Sequence, residues 1–302
     1  MDWYARLDGL SYAYRAISKN IADLVTEFAF GGYLEALAAP MMVISIWTLM
    51  GKPMDWQILL MAYLITLIVY GYDYYREHHA DSISNPERSR VMEKRAGAYP
   101  VALAFEAALL LALLVAYGNV AILMFGTIVV AGGIAYTVAL KGVTRVIPGF
   151  KNVYTSLIWA TAAVSIPALQ YSTGLTMLGA LAFAFIFLKC LMNTIFFDIK
   201  DIESDRYNGL KTIPVLLGKN KSISLLMGAN VLTVVPIIIA VWLRIMPVFA
   251  LAWLALPAYV AYYLSLGGRS GVDIRYISYS FADTEFILWP LLLFAGEAIL
   301  LH

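Results

Sequence analysis

Residues 175–205 read LTMLGALAFAFIFLKCLMNTIFFDIKDIESD. The run from Leu175 to Phe197 is apolar except for isolated polar residues, with Lys189 its one charge, and is long enough to cross about 30 Å of hydrocarbon as a helix. Four acidic residues then follow within eight positions, Asp198, Asp201, Glu203 and Asp205. A backbone in lipid must satisfy its own polar groups, so this run is read as a membrane-spanning helix ending in an acidic turn.

Eight further stretches have the same character: Phe28–Met50, Trp56–Tyr72, Pro100–Tyr117, Val120–Leu140, Val153–Gln170, Ser224–Leu243, Val248–Leu266 and Phe281–Leu301. Composition agrees. Of 302 residues, 62% are hydrophobic and 14% charged, too few charges to clothe a soluble fold of this size. A formal charge of +1 gives no bulk attraction to nucleic acid, and the single cysteine, Cys190, excludes a disulfide scaffold or a multi-cysteine metal centre. The expected architecture is all-α: nine transmembrane helices in a bundle around a central cavity under a cytoplasmic cap.

The connections alternate between short and long. The long ones, with residues 1–27, carry 18 Lys and Arg, and the short ones carry two, Lys52 and Arg244. That bias puts the long loops and the amino terminus in the cytoplasm of an integral, multi-pass membrane protein. No cleavable signal peptide is expected. Residues 1–27 instead show an apolar stripe, from Trp3, Leu7 and Leu10 to Leu24, read as an interfacial helix preceding the 28–302 bundle.

The second span also ends in acids: Asp73, Glu77 and Asp81 recur at i, i+4 and i+8, as Asp198, Asp201 and Asp205 recur at i, i+3 and i+7. Either spacing puts three carboxylates on one helical face. Like charges so placed repel, and a hard divalent ion such as Mg²⁺ would relieve the repulsion, with substrate phosphates completing its oxygen shell. The two sets stand 125 residues apart with four spans between, so both reach one membrane face. The layout suggests two parallel four-span units plus a ninth helix. Arg88, Lys141, Arg145, Lys151 and Lys211 are candidate phosphate contacts on that face, with Lys141 and Arg145 favoured because their loop is short. Glu35, Glu106 and Lys189 are intramembrane charges that call for a cavity or a partner, and Lys189 is also placed to snorkel.

The stretch DIKDIESDRYNGLKTIPVLLG, residues 198–218, resembles the second aspartate-rich signature of the UbiA superfamily of intramembrane prenyltransferases. The first segment is similar to the family's Asn-Asp-x-x-Asp-x-x-x-Asp signature, with Asp73, Tyr74 and Glu77 replacing its first three polar positions and Asp81 matching. Tyr136, Lys141 and Asn152 resemble a further family pattern. The resemblance implies Mg²⁺-dependent transfer of an isoprenyl group from a prenyl diphosphate to a lipophilic acceptor, usually aromatic, in contact with membrane lipid. Asp73, Glu77, Asp81, Asp198, Asp201 and Asp205 would hold the metal; Arg88, Tyr136, Lys141, Arg145, Asn152 and Lys211 would contact the diphosphate. A glycerol phosphate or porphyrin acceptor stays open. So do a cation transporter using the same acids and a non-catalytic isoprenoid binder.

Overall fold

A computed structural model describes residues 23–79, 82 and 85–301. The 1–22 part of the expected interfacial helix, and Asp81, lie outside the described residues. After a helical stretch at 23–30 come α1 (Tyr33–Met50), α2 (Trp56–Glu77), α3 (Pro86–Arg95), α4 (Tyr99–Tyr117), α5 (Val120–Arg145), α6 (Phe150–Gln170), α7 (Met177–Asp198), α8 (Ile202–Tyr207), α9 (Ile213–Leu217), α10 (Lys219–Trp242), α11 (Val248–Gly268), α12 (Ile274–Ile277) and α13 (Glu285–Leu301). No strand occurs among the described residues.

Eight of these helices are long and apolar enough to cross a membrane: α1, α2, α4, α5, α6, α7, α10 and α11. The chain is an integral membrane protein. Within the expected ninth span, Phe281–Leu301, lies α13, with 17 residues, or about 26 Å at 1.5 Å per residue.

On the short-loop side α2, α5 and α7 start on side-chain caps. Asp55 Oδ1 accepts from the Gln57 and Ile58 amides, Asn119 from Ile122 and Thr176 from Gly179. Such caps satisfy N–H groups that have no partner within the helix. Asp55 also accepts from Gln170 Nε2 at 3.0 Å, and Tyr171 donates to the Pro53 carbonyl at 2.6 Å. These bonds tie the first and third short loops together.

Three buried clusters fill the bundle. One joins α1, α2, α4, α5 and α6 around Trp47 and Ile58. A second joins α1, α6, α7, α10, α11 and α13 around Phe185, Trp253 and Trp289. The third joins α7, α10, α11 and α12 around Phe196 and Tyr263. Close packing is what these contacts supply, since lipid tails solvate an apolar side chain as well as another helix does. The first helix and the last share a cluster, so the bundle closes on itself.

Lys189 does not snorkel. It is buried and pairs with Glu285 at 2.5 Å, and Tyr263 donates to the other Glu285 oxygen at 3.0 Å. A charge at this depth is tolerated because a counter-charge and a hydroxyl meet it.

Candidate functional site

A cavity of about 260 Å³ lies within the bundle. Its body is apolar, with walls from Ala62, Ile65, Phe125, Val129, Ile158 and Ile166. At its polar end stand Asp73 and Glu77 from α2, and Asp198, Asp201 and Asp205 from the end of α7 and from α8. Both acidic sets therefore face one hollow.

The two sets are built differently. α2 runs unbroken through Asp73 to Glu77. The second set is split: α7 ends at Asp198, Asp201 stands ahead of α8, and Asp205 lies within it. The expectation of one continuous helical face is corrected here. The Asp201 amide donates to the Asp198 carbonyl at 3.1 Å across the break, and beyond it the Asp205 amide donates to the Asp201 carbonyl at 2.8 Å.

Every described acid of the two sets has a partner. Thr137 donates to Asp73 at 2.7 Å. Lys141 binds both oxygens of Glu77. Lys151 meets Asp198 Oδ1 at 2.5 Å and Asn152 Nδ2 meets its Oδ2 at 2.7 Å. Asp201 accepts from Lys200 at 2.7 Å and from Asn85 at 3.1 Å; Asn85 is itself fixed by Tyr279 at 3.0 Å. Thr212 donates to Asp205 at 3.1 Å. Burial works to raise the Asp201 carboxyl, but Lys200 and Lys151 outweigh it and hold the group at about 2. Asp205 is pushed up to about 6 by burial, with Asp198 and Asp201 adding to the rise against Lys151.

Lys141 and Tyr136 reach the cavity because α5 changes its winding. Tyr136–Leu140 forms a π-turn and Lys141–Arg145 a 3₁₀ segment, which carry the helix five residues past the expected Leu140. Gly133 permits the approach of α5 to α2, since a Cβ there would fall 2.4 Å from Val69 Cγ1.

Of the other predicted contacts, Arg88, Tyr136 and Lys141 line the cavity. Asn152 is buried behind it and orients Asp198. Arg145 and Lys211 are exposed and absent from the lining. Lys211 instead joins two loops through its backbone, its amide donating to Thr144 O and its carbonyl accepting from Gly149, each at 3.0 Å. Residues that sequence reasoning did not assign to the site include Lys200, Asn85, Thr137, Thr212, Asn193 and Asp283. Lys151 was visible as a loop cation, but its role as the partner of Asp198 was not.

Among the described residues no three His, Cys, Asp or Glu side chains are grouped closely enough to hold a metal ion. The donor set nevertheless suits a hard cation: oxygen ligands from two elements face one space, in which Tyr136 Oη is buried without a hydrogen-bond partner among the described residues. Seven acids and four bases line the cavity, an excess of negative charge that divalent cations would balance.

An apolar hollow with a charged rim, inside a bundle of membrane helices, defines a membrane protein built for an amphiphile with an ionic head. The sequence model of the UbiA prenyltransferase family matches residues 37–277. The chain belongs to that family, a prenyltransferase family. No curated protein matches the sequence. Several solved structures share the fold. An apo UbiA homolog from Aeropyrum pernix K1 has a TM-score of 0.63 at 15% identity, with 89% of this chain and 98% of that chain covered. A UbiA homolog from Archaeoglobus fulgidus bound to DMAPP and Mg²⁺ has a TM-score of 0.60 at 16% identity, covering 90% and 98%. A digeranylgeranylglyceryl phosphate synthase has a TM-score of 0.56 at 17% identity, covering 90% and 98%.

Proposed function

We propose that this protein transfers an isoprenyl group from a prenyl diphosphate to a lipophilic acceptor, with Mg²⁺, at a cavity mouth on the cytoplasmic face. The observation that carries the reading is the meeting of the two acidic sets at one end of an apolar cavity. A trianionic diphosphate is repelled by Asp73, Glu77, Asp198, Asp201 and Asp205 unless divalent cations accompany it. A solved structure of this fold, a UbiA homolog bound to DMAPP and Mg²⁺, supports the assignment. The 18-to-2 distribution of Lys and Arg supports the sidedness.

Asp73, Glu77 and Asp81 on one side, and Asp198, Asp201 and Asp205 on the other, would hold the metal. Bound Mg²⁺ supplies charge neutralisation to the diphosphate as the allylic carbon–oxygen bond breaks. Lys141 and Lys151 exchange their carboxylate partners for phosphate oxygens, and Arg88 and Tyr136 add donors. Asn152 keeps Asp198 aimed at the cavity. Arg145 and Lys211 take no part. The bonding pair leaves with the diphosphate, the apolar walls keep water from the allylic cation, an electron pair of the acceptor closes the new bond, and a base takes the proton that the adduct sheds. A naphthoate, another aromatic head, a porphyrin and a glycerol phosphate are the acceptor classes to compare, the last represented among structures of this fold.

The test is release of diphosphate from labelled prenyl diphosphates of several chain lengths by the purified protein, with Mg²⁺ and an acceptor panel. Release that depends on Mg²⁺ and vanishes in Asp201→Ala is expected. Near-normal turnover in that variant would overturn the assignment, and metal-ion flux without diphosphate release would point to a transporter.

A further inference from the structure

Two cavity acids belong to neither set. Glu35 comes from α1 and Asp283 from the turn before α13, the two helices that close the bundle. Ala38, Ala39, Cys190 and Phe286, from the same helices and α7, line the cavity with them. Glu35 accepts a hydrogen bond from Tyr74, the tyrosine inside the first acidic segment. Asp283 is 95% buried, lines the cavity, and its Oδ2 has no hydrogen-bond partner among the described residues. The charged groups that act on it are Glu35, Lys200 and Arg88.

Those cations are engaged. Lys200 is held by Asp201 at 2.7 Å and lies over the rings of Phe197 and Tyr279. Arg88 stacks on the Tyr74 ring at 4.1 Å. Two carboxyls thus face this wall against one guanidinium, and one carboxyl oxygen is left to accept. Burial and the neighbouring Glu35 push the Asp283 carboxyl well up, and a ligand bringing its own carboxylate would enter this wall of low polarity where Lys200 and Arg88 are already engaged. A ligand bringing an uncharged O–H would fill the open acceptor.

We infer that Glu35 and Asp283 form the acceptor end of the cavity and select an acceptor with a neutral hydroxyl head, phenol- or alcohol-like, over one that ends in a carboxylate. The inference rests on the prenyl-transfer reading for the word acceptor. The selection itself stands on the two acids alone.

The test uses 2-naphthol and 2-naphthoate, which share one ring system and differ in the head. Saturable binding of each to the purified full chain is measured at pH 7 by naphthalene fluorescence, in wild type, Glu35→Gln and Asp283→Asn. Wild type is expected to bind 2-naphthol at least tenfold more tightly, and each variant to bring the ratio of the two affinities within threefold of one. Binding of labelled geranyl diphosphate with Mg²⁺ reports that each variant is folded, because neither acid is assigned to the diphosphate. Equal or reversed affinities in wild type, or a ratio that neither substitution moves, overturn the inference even if one variant misfolds. Failure of geranyl diphosphate to bind the wild type would instead sink the prenyl-transfer reading, leaving hydroxyl selection to be decided by the naphthol pair.

Discussion

The acidic segment after α2 and the one after α7 look interchangeable in spacing, yet the structure treats them differently. In the second, Asp198 and Asp205 are buried, Asp198 and Asp201 each bind a lysine and an asparagine, and Asp205 a threonine. In the first, Asp73 has one threonine donor and Glu77 has Lys141, while Tyr74 turns to Glu35 on another helix. Among the described residues the second set is the more deeply buried, which makes it the better fixed of the two. Preorganised ligands lose little on binding, whereas adjustable ones must be ordered first.

Substitutions would test that contrast, and the largest effect is expected on the second set. Asp198→Ala or Asp201→Ala should lower Mg²⁺-dependent diphosphate release by about 10³-fold or more, the scale of losing a preorganised electrostatic contact. Glu77→Ala should cost on the order of 10–100-fold, and raised Mg²⁺ should restore part of it. Equal losses in the two sets, read from initial rates across a Mg²⁺ titration, would erase the distinction. Tyr74→Phe removes one hydroxyl but keeps the ring beneath Arg88. A single hydrogen bond is worth about 0.5–1.5 kcal/mol net, so kcat/KM should fall by about 2–10-fold. Arg145→Ala and Lys211→Ala should change kcat/KM by less than about twofold, since exposed side chains away from such a site contribute within about 0.5 kcal/mol. A larger loss in either would return it to the diphosphate contacts.

These outcomes bear on how far residues alone reveal the site. The spans were legible because their apolar length is a direct physical requirement of the bilayer. The acidic sets were legible because carboxylates at the ends of such spans are conspicuous. The break after Asp198 was not, since DIKDIESD carries no glycine or proline to mark it. The choice of Arg145 over Lys151 failed for a geometric reason. Ordinary helical spacing does not foresee a π-turn at 136–140 followed by a 3₁₀ segment, which leaves Arg145 exposed. Gly149, at φ +69°, then starts α6 so that Lys151 faces Asp198. Lys189 stood out as a charge within an apolar run, but nothing local names Glu285 as its partner.

The joining of the last helix to the first has a consequence for biogenesis. Asp283 and Phe286, which complete the cavity wall, follow all the other spans in chain order and so emerge after them. Until they arrive, Lys189 has no counter-ion and the flank of α1 that they cover lies open to lipid or to whatever escorts the nascent chain. A ribosome stalled before residue 283 would therefore leave an inserted but unsealed bundle. Quality control could recognise such a product by one uncompensated ammonium group in the bilayer.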